Sequence, residues 1–366
     1  MSSKGDTLWE IAISKSKTNA VKDSSSAEES LSKKANNRSS DEASVLVTGS
    51  KNSGKTSIIL RFLDRDEAPK PTTSLEYTFG RRAKGHNMAK DVGHIWELGG
   101  GIWLSRLIDI PINANTIKSI SLVLVLDLSL PNELWITLEK LLQSAKSRIN
   151  EILSETKGMN IKDELKRRAL ERVGEDHPDR DLMDLFPIPL VIIGSKYDLF
   201  QNFDPEKRKV ICKTLRFIAH SKGATLQFCS SKQESLLNKS RTLITHLVFG
   251  TAASKTLQVD HNKPLMIPAG ADSLQQIGSP PLPEGDLGRL NARSPLDLWK
   301  HAFTSSFPQE ESSNPANVED PAKDPQYAEI AVDNMRAQKN EELERYRKMC
   351  ERRARETAQI GYSDGF

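Results

Sequence analysis

An eight-residue pattern near residue 50 constrains the fold more than any other part of this sequence. Residues 49–56, GSKNSGKT, match G-x-x-x-x-G-K-[S/T], in which the glycines let backbone N–H groups surround phosphate oxygens. The pattern follows the apolar run 45–48 and precedes a helical pattern over 57–64, the strand–loop–helix setting that the motif requires. The alternative is an ordinary turn, rich in glycine and serine, between a strand and a helix. The sequence predicts a phosphate-binding loop.

Two side chains of this loop have expected partners in a bound nucleotide. The Lys55 side chain should reach the β and γ phosphates, and the Thr56 hydroxyl should ligate Mg²⁺. The start of the following helix adds positive potential. The predicted nucleotide-binding residues here are Gly49, Ser50, Asn52, Ser53, Gly54, Lys55, Thr56 and Ser57, and the predicted metal ligand is Thr56.

From residue 45 onward, short apolar runs alternate with helical stretches. This alternation is typical of an α/β domain with a mostly parallel sheet flanked by helices. Runs without alternation of period two predict strands that helices cover on both faces. The predicted buried strands are 45–48, 121–127 and 189–195, with another strand at 224–228 and a more exposed pair at 75–79 and 93–96. Between 127 and 189, the spacing predicts a helix with an inserted extension.

Two segments after the later strands are typical of a guanine site. Residues 195–198, SKYD, resemble the N-K-x-D of GTPases, in which the aspartate accepts hydrogen bonds from guanine and the lysine stem lies over the ring. Ser195 replaces the asparagine, a loss of roughly 1–3 kcal/mol if its partner groups stay unsatisfied. Residues 230–232 resemble a second guanine contact. GDP or GTP with Mg²⁺ is the predicted cofactor if any is bound, and the predicted base-side residues are Lys196, Asp198, Ser231 and Lys232.

The γ-phosphate side departs further from the GTPase pattern. Residues 96–101, WELGGG, align with W-D-x-x-G-Q, so that Glu97 replaces an aspartate near Mg²⁺ and Gly101 replaces the glutamine that orients water. Residues 71–72, Pro-Thr, lie where a switch threonine would be, although an ordinary turn explains them equally. These features predict a Ras-like P-loop domain that hydrolyses GTP slowly or not at all, with no catalytic residue. An ATP-using enzyme is a further alternative, with Asp127 as its Walker B candidate.

Composition excludes several classes of function. The net charge of +3, from 52 Lys and Arg against 49 Asp and Glu, does not indicate a nucleic-acid binder. The chain has three cysteines without metal-ligand spacing, which indicates a reducing compartment and no structural zinc. With neither a signal sequence nor an apolar stretch of roughly 18 residues, the chain is expected to be soluble and intracellular.

The histidines and tryptophans are predicted to have structural roles rather than to bind a metal or a cofactor. The seven histidines show no ligand spacing, and His86, His94 and His220 are predicted at the surface or in loops. The tryptophans at 103, 135 and 299 are predicted to be packing anchors.

Composition also divides the chain into four predicted parts. Residues 1–42 form a largely disordered arm with a short apolar patch at 8–13, which is either a docking peptide or local packing. Residues 43–250 form the P-loop domain. Residues 251–320 form a Pro/Gly-rich extension with short helices, one of them at 295–303, which pack on the domain or on a partner. Residues 321–366 form a charged tail that is helical over 328–357.

Together, several segments resemble the dynein light intermediate chain family, and within it the dynein-2 branch. The likeness covers roughly residues 7–12 and then 45 to about 335. It implies a GTPase-like fold that serves as a platform. The segments that carry the resemblance are 49–56, 63–66, 75–77, 96–100, 194–198, 207–212 and 276–281.

This resemblance implies a function and partners. It implies a non-catalytic accessory subunit that stabilises the dynein-2 heavy chain for retrograde intraflagellar transport, cilium assembly and cilium length control. The implied partners are the dynein-2 heavy chain, other dynein-2 subunits and, indirectly, microtubules and transport trains, without nucleic acid or membrane insertion. The implied location is the cytoplasm and the cilium, with its axoneme, basal body and centrosome region. The alternative is a nucleotide-dependent GTPase switch, which the sequence favours less because Glu97, Gly101 and Ser195 each remove a group that a switch uses.

Overall fold

The structure covers the predicted domain and a large part of the chain after it. A computed structural model describes residues 42–83, 91–155, 159–282, 293–310 and 329–363. The predicted apolar patch at 8–13 and nearly all of the predicted arm lie outside these ranges. Among the described helices, none is both long enough and apolar enough to cross a membrane.

A seven-stranded sheet forms the centre of the fold. The strands lie in the order β2-β3-β1-β4-β5-β6-β7, with β1, β3, β4, β5 and β6 parallel and the two edge strands antiparallel to their neighbours. The strands are β1 (Ser44–Gly49), β2 (Leu75–Arg82), β3 (Asp91–Leu98), β4 (Ile120–Asp127), β5 (Leu190–Ser195), β6 (Thr225–Phe228) and β7 (Met266–Ile267). The predicted fold class, a Ras-like P-loop sheet flanked by helices, is confirmed, as are all six predicted strands.

The helices follow the strands as the pattern predicted. The stretch between β4 and β5 contains two long helices, which confirms the predicted helix with its extension. The helices are α1 (Lys55–Phe62), α2 (Pro131–Glu155), α3 (Met159–Val173), α4 (Tyr197–Phe200), α5 (Pro205–Lys222), α6 (Glu234–Phe249), α7 (Leu274–Ile277), α8 (Pro295–Ser306) and α9 (Ile330–Ser363).

The unbroken apolar runs are explained by two hydrophobic clusters on opposite faces of the sheet. Alternate residues of one strand face opposite sides, so Leu122 and Leu124 pack with α2 and α5, whereas Val123 and Val125 pack with α1 and α6. All eight residues of β4 are buried. Strands buried on both faces need apolar side chains at every position.

The segment after α6 returns to the same body. Met266 and Ile267 pair with β6 as a seventh strand that the sequence analysis did not predict. In α8, Trp299 stacks on Phe217 of α5 with ring centroids 4.7 Å apart, and Phe303 lies 5.9 Å from Trp135 of α2. The described part of 251–320 therefore packs on the α/β body, while the four-part division of the chain stays a prediction.

Two single-residue predictions are wrong. Trp103 is 42% exposed on a 3₁₀ helix, Gly101–Asp109, and does not anchor the core, although Trp135 and Trp299 do. His220 lies buried in α5 rather than at the surface, because α5 is covered on several sides at once. His94 is a half-buried residue of β3 whose Nε2 lies 2.6 Å from Glu42, and His86 lies outside the described residues.

The last described helix, α9, is exposed along the length for which side chains are described. Its apolar side chains at 330, 335, 343, 346 and 349 are all more than two-fifths exposed. The predicted helix is confirmed over 330–357, and its exposure is confirmed for the described side chains between residues 330 and 355.

Candidate nucleotide-binding site

The predicted site residues gather at one edge of the sheet. β1 and β4 run parallel, and so do β4 and β5, so the residues that follow these strands meet at the same carboxyl-terminal edge. The phosphate loop follows β1, and the 195–198 segment follows β5. Strand order thus brings together two segments that lie about 140 residues apart in the chain.

The two loop glycines are required by backbone geometry. Gly49 has φ 149°, and a Cβ added there would lie 2.0 Å from the Val125 carbonyl oxygen. Gly54 has φ 86° at the residue that precedes α1. A side chain at Gly49 would push β1 away from β4, so the first glycine sets the close approach of the strands beneath the loop.

Lys55 points into the loop. Its Nζ donates to the carbonyl oxygens of Ser50 at 2.7 Å and Gly49 at 3.3 Å. Burial lowers the pKa of Lys55 to about 8, although the nearby Glu97 carboxylate opposes this shift. Backbone oxygens of the phosphate loop therefore hold the Lys55 ammonium group beside the place where phosphates would bind.

Thr56 and Glu97 are joined directly. The Thr56 hydroxyl donates to Glu97 Oε1 at 2.7 Å, and Glu97 is only 5% exposed at the end of β3. Burial raises the pKa of Glu97, while the Thr56 hydrogen bond and the Lys55 charge act in the opposite direction. The predicted metal ligand and the residue that replaces the usual aspartate thus face each other, with a hydroxyl and a carboxylate oxygen available to a hard cation.

A cavity of about 210 Å³ opens over these groups. Its walls are residues 51–57, 69–72, Glu97, Gly99 and Gly100. The volume is below the roughly 300–1,000 Å³ of typical ligand pockets, which matches the phosphate part of a nucleotide rather than the whole molecule. The Pro71–Thr72 pair does lie on this wall, as expected for a switch segment.

The remaining loop residues differ in exposure. Ser53 is fully buried, and its hydroxyl has no hydrogen-bond partner within the described part of the chain. Ser50 is buried, Ser57 is half-buried, and Asn52 is exposed with φ 59° in the left-handed region. An unpaired buried hydroxyl in the cavity wall is a polar group that a bound phosphate would satisfy.

On the base side, Lys196 and Asp127 form an ion pair. Lys196 has φ 55° where β5 ends, and its Nζ donates to Asp127 Oδ2. The Asp127 side chain is 2% exposed and also accepts from the backbone N–H and hydroxyl of Ser129. Asp127 is therefore paired with Lys196, whereas Glu97 is the carboxylate beside Thr56. As the Walker B residue of an ATP-using enzyme, Asp127 would instead be expected beside Thr56. The observed pairs support the guanine-type interpretation.

The Asp198 carboxylate is oriented by two partners. The Ser230 hydroxyl donates to Oδ1 at 2.6 Å, and Lys232 Nζ lies 3.0 Å from Oδ2. Burial alone would raise the pKa of Asp198, but hydrogen bonds from Ser230 and Lys232 outweigh it and lower the pKa. The structure thus brings the 230–232 segment to the carboxylate that was predicted to read the base.

Sequence reasoning missed the role of Ser230. Its side chain is buried and holds Asp198, whereas the predicted Ser231 is exposed. Ser195 donates to the Leu126 carbonyl oxygen at 3.1 Å, a contact within the sheet. The available signal was that Ser230 begins the second guanine segment, two residues after the end of β6.

Gly101 has a backbone conformation with positive φ, which favours glycine. Its φ is +61°, while a Cβ added there would come no closer than 3.5 Å to the neighbouring loop. A glutamine at this position would meet backbone strain more than steric conflict. The expected consequence, slow or absent hydrolysis, stays a prediction.

The fold and this site define a class of protein. A strand order of 2-3-1-4-5-6 and a G-x-x-x-x-G-K-[S/T] loop after β1 are typical of a Ras-like P-loop fold. The family model described as "Dynein light intermediate chain (DLIC)" matches residues 23–181.

Similar proteins extend the comparison to nearly the whole chain. The chain is 55% identical to the Bos taurus protein named cytoplasmic dynein 2 light intermediate chain 1, over 94% of this chain and 95% of that one. It is 52% identical to the Homo sapiens protein of that name, with the same coverage. A crystal structure described as the conserved domain of the dynein light intermediate chain is 15% identical with a TM-score of 0.49, covering 75% of this chain and 93% of that one. The chain belongs to the dynein light intermediate chain family.

Proposed function

We propose that this chain is a non-catalytic accessory subunit of the cytoplasmic dynein-2 motor complex, in which it binds and stabilises the heavy chain. The observation that carries the proposal is the similarity at 50–55% identity, over 94% of the chain, to proteins named as light intermediate chains of dynein 2. On this proposal the chain supports retrograde intraflagellar transport, cilium assembly and cilium length control. Other dynein-2 subunits are its further partners, and microtubules and transport trains are indirect ones.

The proposed location follows from these partners. A dynein-2 subunit works in the cytoplasm and the cilium, and we place the chain at the axoneme, the basal body and the centrosome region. The proposal includes neither nucleic-acid binding nor membrane insertion.

The site residues fit GDP or GTP with Mg²⁺. The loop amides and Lys55 would hold the phosphates, Thr56 would ligate the metal, and Asp198 with Lys196 would hold the base. The buried, unpaired Ser53 hydroxyl in the cavity wall supports this fit. A nucleotide bound in this way would stabilise the folded state by linkage, without hydrolysis.

The alternative function is a GTPase switch that regulates motor or partner assembly. A switch requires a difference in partner affinity between two nucleotide states. Gly101 carries no side chain to orient water, and Glu97 is tied to Thr56. These features favour a structural role for the site.

Nucleotide affinity is expected to fall as pH rises through 8, provided that the site binds GDP. The buried Lys55 loses its proton near pH 8 in the free protein, whereas a bound phosphate would stabilise the ammonium form. Above pH 8, Lys55 must therefore take up a proton when the nucleotide binds. Because protons become scarcer as pH rises, the affinity for GDP should drop roughly fivefold between pH 8 and pH 9. Fluorescent GDP titrations between pH 7 and pH 9 measure this dependence.

The Lys55→Arg variant is the matched control for this profile. Its guanidinium stays charged throughout the range, so the remaining slope reports titration of the nucleotide itself. An equal slope in both proteins would contradict the assignment of the proton to Lys55.

Recovery of the dynein-2 heavy chain on the tagged protein from ciliated cells tests the proposed function. We expect wild type and Lys55→Ala to recover equal amounts, because a platform does not depend on the nucleotide state. Lys239→Ala is the control variant, since Lys239 is exposed on α6 and lies outside the walls of the cavity. Each protein is compared at matched soluble amounts, with its fold checked by circular dichroism.

The other outcomes discriminate between the hypotheses. Loss of the heavy chain from a folded Lys55→Ala variant, with Lys239→Ala unaffected, would favour the nucleotide switch. Failure of the wild-type protein to recover the heavy chain would overturn the proposed function itself.

A further inference from the structure

Two histidines and an aspartate come together away from the nucleotide site. His177 and Asp179 lie in the segment after α3, and His220 lies near the end of α5. One ligand atom from each residue can be chosen so that all three lie within 4.8 Å of one another. The two imidazole ring centroids are 5.3 Å apart.

The ring of His220 is buried beside Asp179. Its side chain is 2% exposed, and its Nδ1 has no hydrogen-bond partner within the described residues. Nε2 lies 3.0 Å from Asp179 Oδ2 in a close ion-pair contact. A cation bound by both groups would replace this contact and hold the two ligand atoms slightly farther apart.

Arg216 lies four residues before His220 in α5, and two hydrogen bonds join its guanidinium to the Asp272 carboxylate. That cation is therefore engaged outside the cluster of His177, Asp179 and His220.

Hydrogen bonds fix the tautomer of His177. The Asp179 backbone N–H donates to Nδ1 at 3.1 Å, so Nδ1 carries the lone pair and Nε2 carries the proton. Nε2 then donates to the Asp272 carbonyl oxygen at 2.9 Å. A histidine that ligates a metal ordinarily donates its other N–H to a carbonyl or carboxylate, as Nε2 does here. A metal would therefore bind at Nδ1 and replace the Asp179 backbone N–H as the partner of that lone pair.

We propose that His177, Asp179 and His220 form a binding site for one Zn²⁺ ion. Imidazole nitrogens and a carboxylate oxygen are common zinc ligands, with a water molecule as the fourth ligand. Zinc bonds of about 2.0–2.2 Å place tetrahedral ligand atoms roughly 3.3–3.5 Å apart. Ligand atoms that lie 4.8 Å apart must therefore approach each other by about 1.3–1.5 Å. His177 and Asp179 are only half-buried and lie outside regular helices, where such a movement is tolerated.

The proposed ion has a structural consequence. His177 and Asp179 also bind the segment that leads into α7, through the Asp272 carbonyl and the Leu274 N–H. Zinc would fasten this segment and the end of α3 to α5. The expectation of no structural zinc rested on the absence of a C-x-x-C pair and of a Cys/His cluster at metal-ligand spacing. Spacing along the sequence does not detect ligands that the fold brings together from segments more than 40 residues apart.

Titration of the full-length, untagged chain with Co²⁺ and then Zn²⁺ tests the site. Wild type stripped of metal should develop the visible d–d bands of tetrahedral Co²⁺ at one equivalent, and Zn²⁺ should abolish them. His220→Gln and Asp179→Asn should each lose the bands, and added Zn²⁺ should raise the melting temperature of wild type only. His261→Gln is the matched control, because His261 is a more exposed histidine beside an aspartate, Asp260.

Several outcomes would overturn the site. These are the absence of tetrahedral bands in wild type, and bands that persist in both cluster variants. If His220→Gln does not fold, His177→Gln takes its place, since that ring is only half-buried. Loss of the bands in His261→Gln alone would assign the ion to a surface histidine and overturn the proposal. None of these readouts depends on the motor complex or on nucleotide.

Discussion

Replacing Phe303 by alanine is expected to lower the free energy of unfolding by about 3–5 kcal/mol. Phe303 is fully buried, 5.9 Å from the Trp135 ring and 5.2 Å from the Phe307 ring. Removing the ring leaves a cavity between α8 and α2 that the long helix α2 cannot close. Urea denaturation followed by circular dichroism measures the loss.

The control for this prediction lies in the same helix. Leu296 is 37% exposed, and Leu296→Ala should cost roughly 1 kcal/mol or less. If α8 were a separate unit, Phe303→Ala would leave the main unfolding transition unchanged. A large loss shared by the whole transition would show that the extension and the P-loop domain unfold together.

Arg216→Met is expected to destabilise the chain by about 3–5 kcal/mol, because it leaves a buried carboxylate without its cation. Arg216 and Asp272 are 8% and 5% exposed, and two hydrogen bonds of 2.8 and 2.7 Å join the guanidinium to the carboxylate. Arginine was needed here, because its planar group binds both carboxylate oxygens at once. Thermal and urea unfolding of the variant measure the effect.

A double variant separates the charge from the packing. Arg216→Met with Asp272→Asn should recover more than half of the loss, because no buried charge then remains. The exposed pair Lys339–Glu342 is the comparison: Lys339→Met should change stability by less than about 0.5 kcal/mol. A double variant as unstable as the single one would show that lost packing dominates.

The sheet was predictable from sequence because its signals are local. Unbroken Leu/Val runs such as 121–127 arise from burial on two faces, and the loop glycines arise from backbone geometry at single residues. The pairing of β7 was not predictable: two residues, Met266 and Ile267, carry too little pattern to distinguish a strand from a loop.

The errors concern contacts between distant segments. His220 is followed in sequence by Ser-Lys-Gly, residues that are typical of the surface. In the structure it lies close to His177 and Asp179, which are more than 40 residues away in the chain. In the nucleotide site, motif spacing gave Lys55, Thr56 and Asp198. The Lys196–Asp127 and Ser230–Asp198 contacts required the strand order.

Residues after Gly250 cover β6 and α5, so these elements stay exposed until the ribosome has made the later part of the chain. A nascent chain that has reached Gly250 contains six strands and only one of the two hydrophobic clusters in full, because the other includes Leu265, Trp299 and Phe303. The outer edge of β6 and the Phe217 ring are then still uncovered. At about 5–20 residues per second, the ribosome needs roughly 3–11 s more to reach Phe307. During that interval an open strand edge and apolar rings are exposed, so we expect a premature stop before α8 to release a product prone to aggregate.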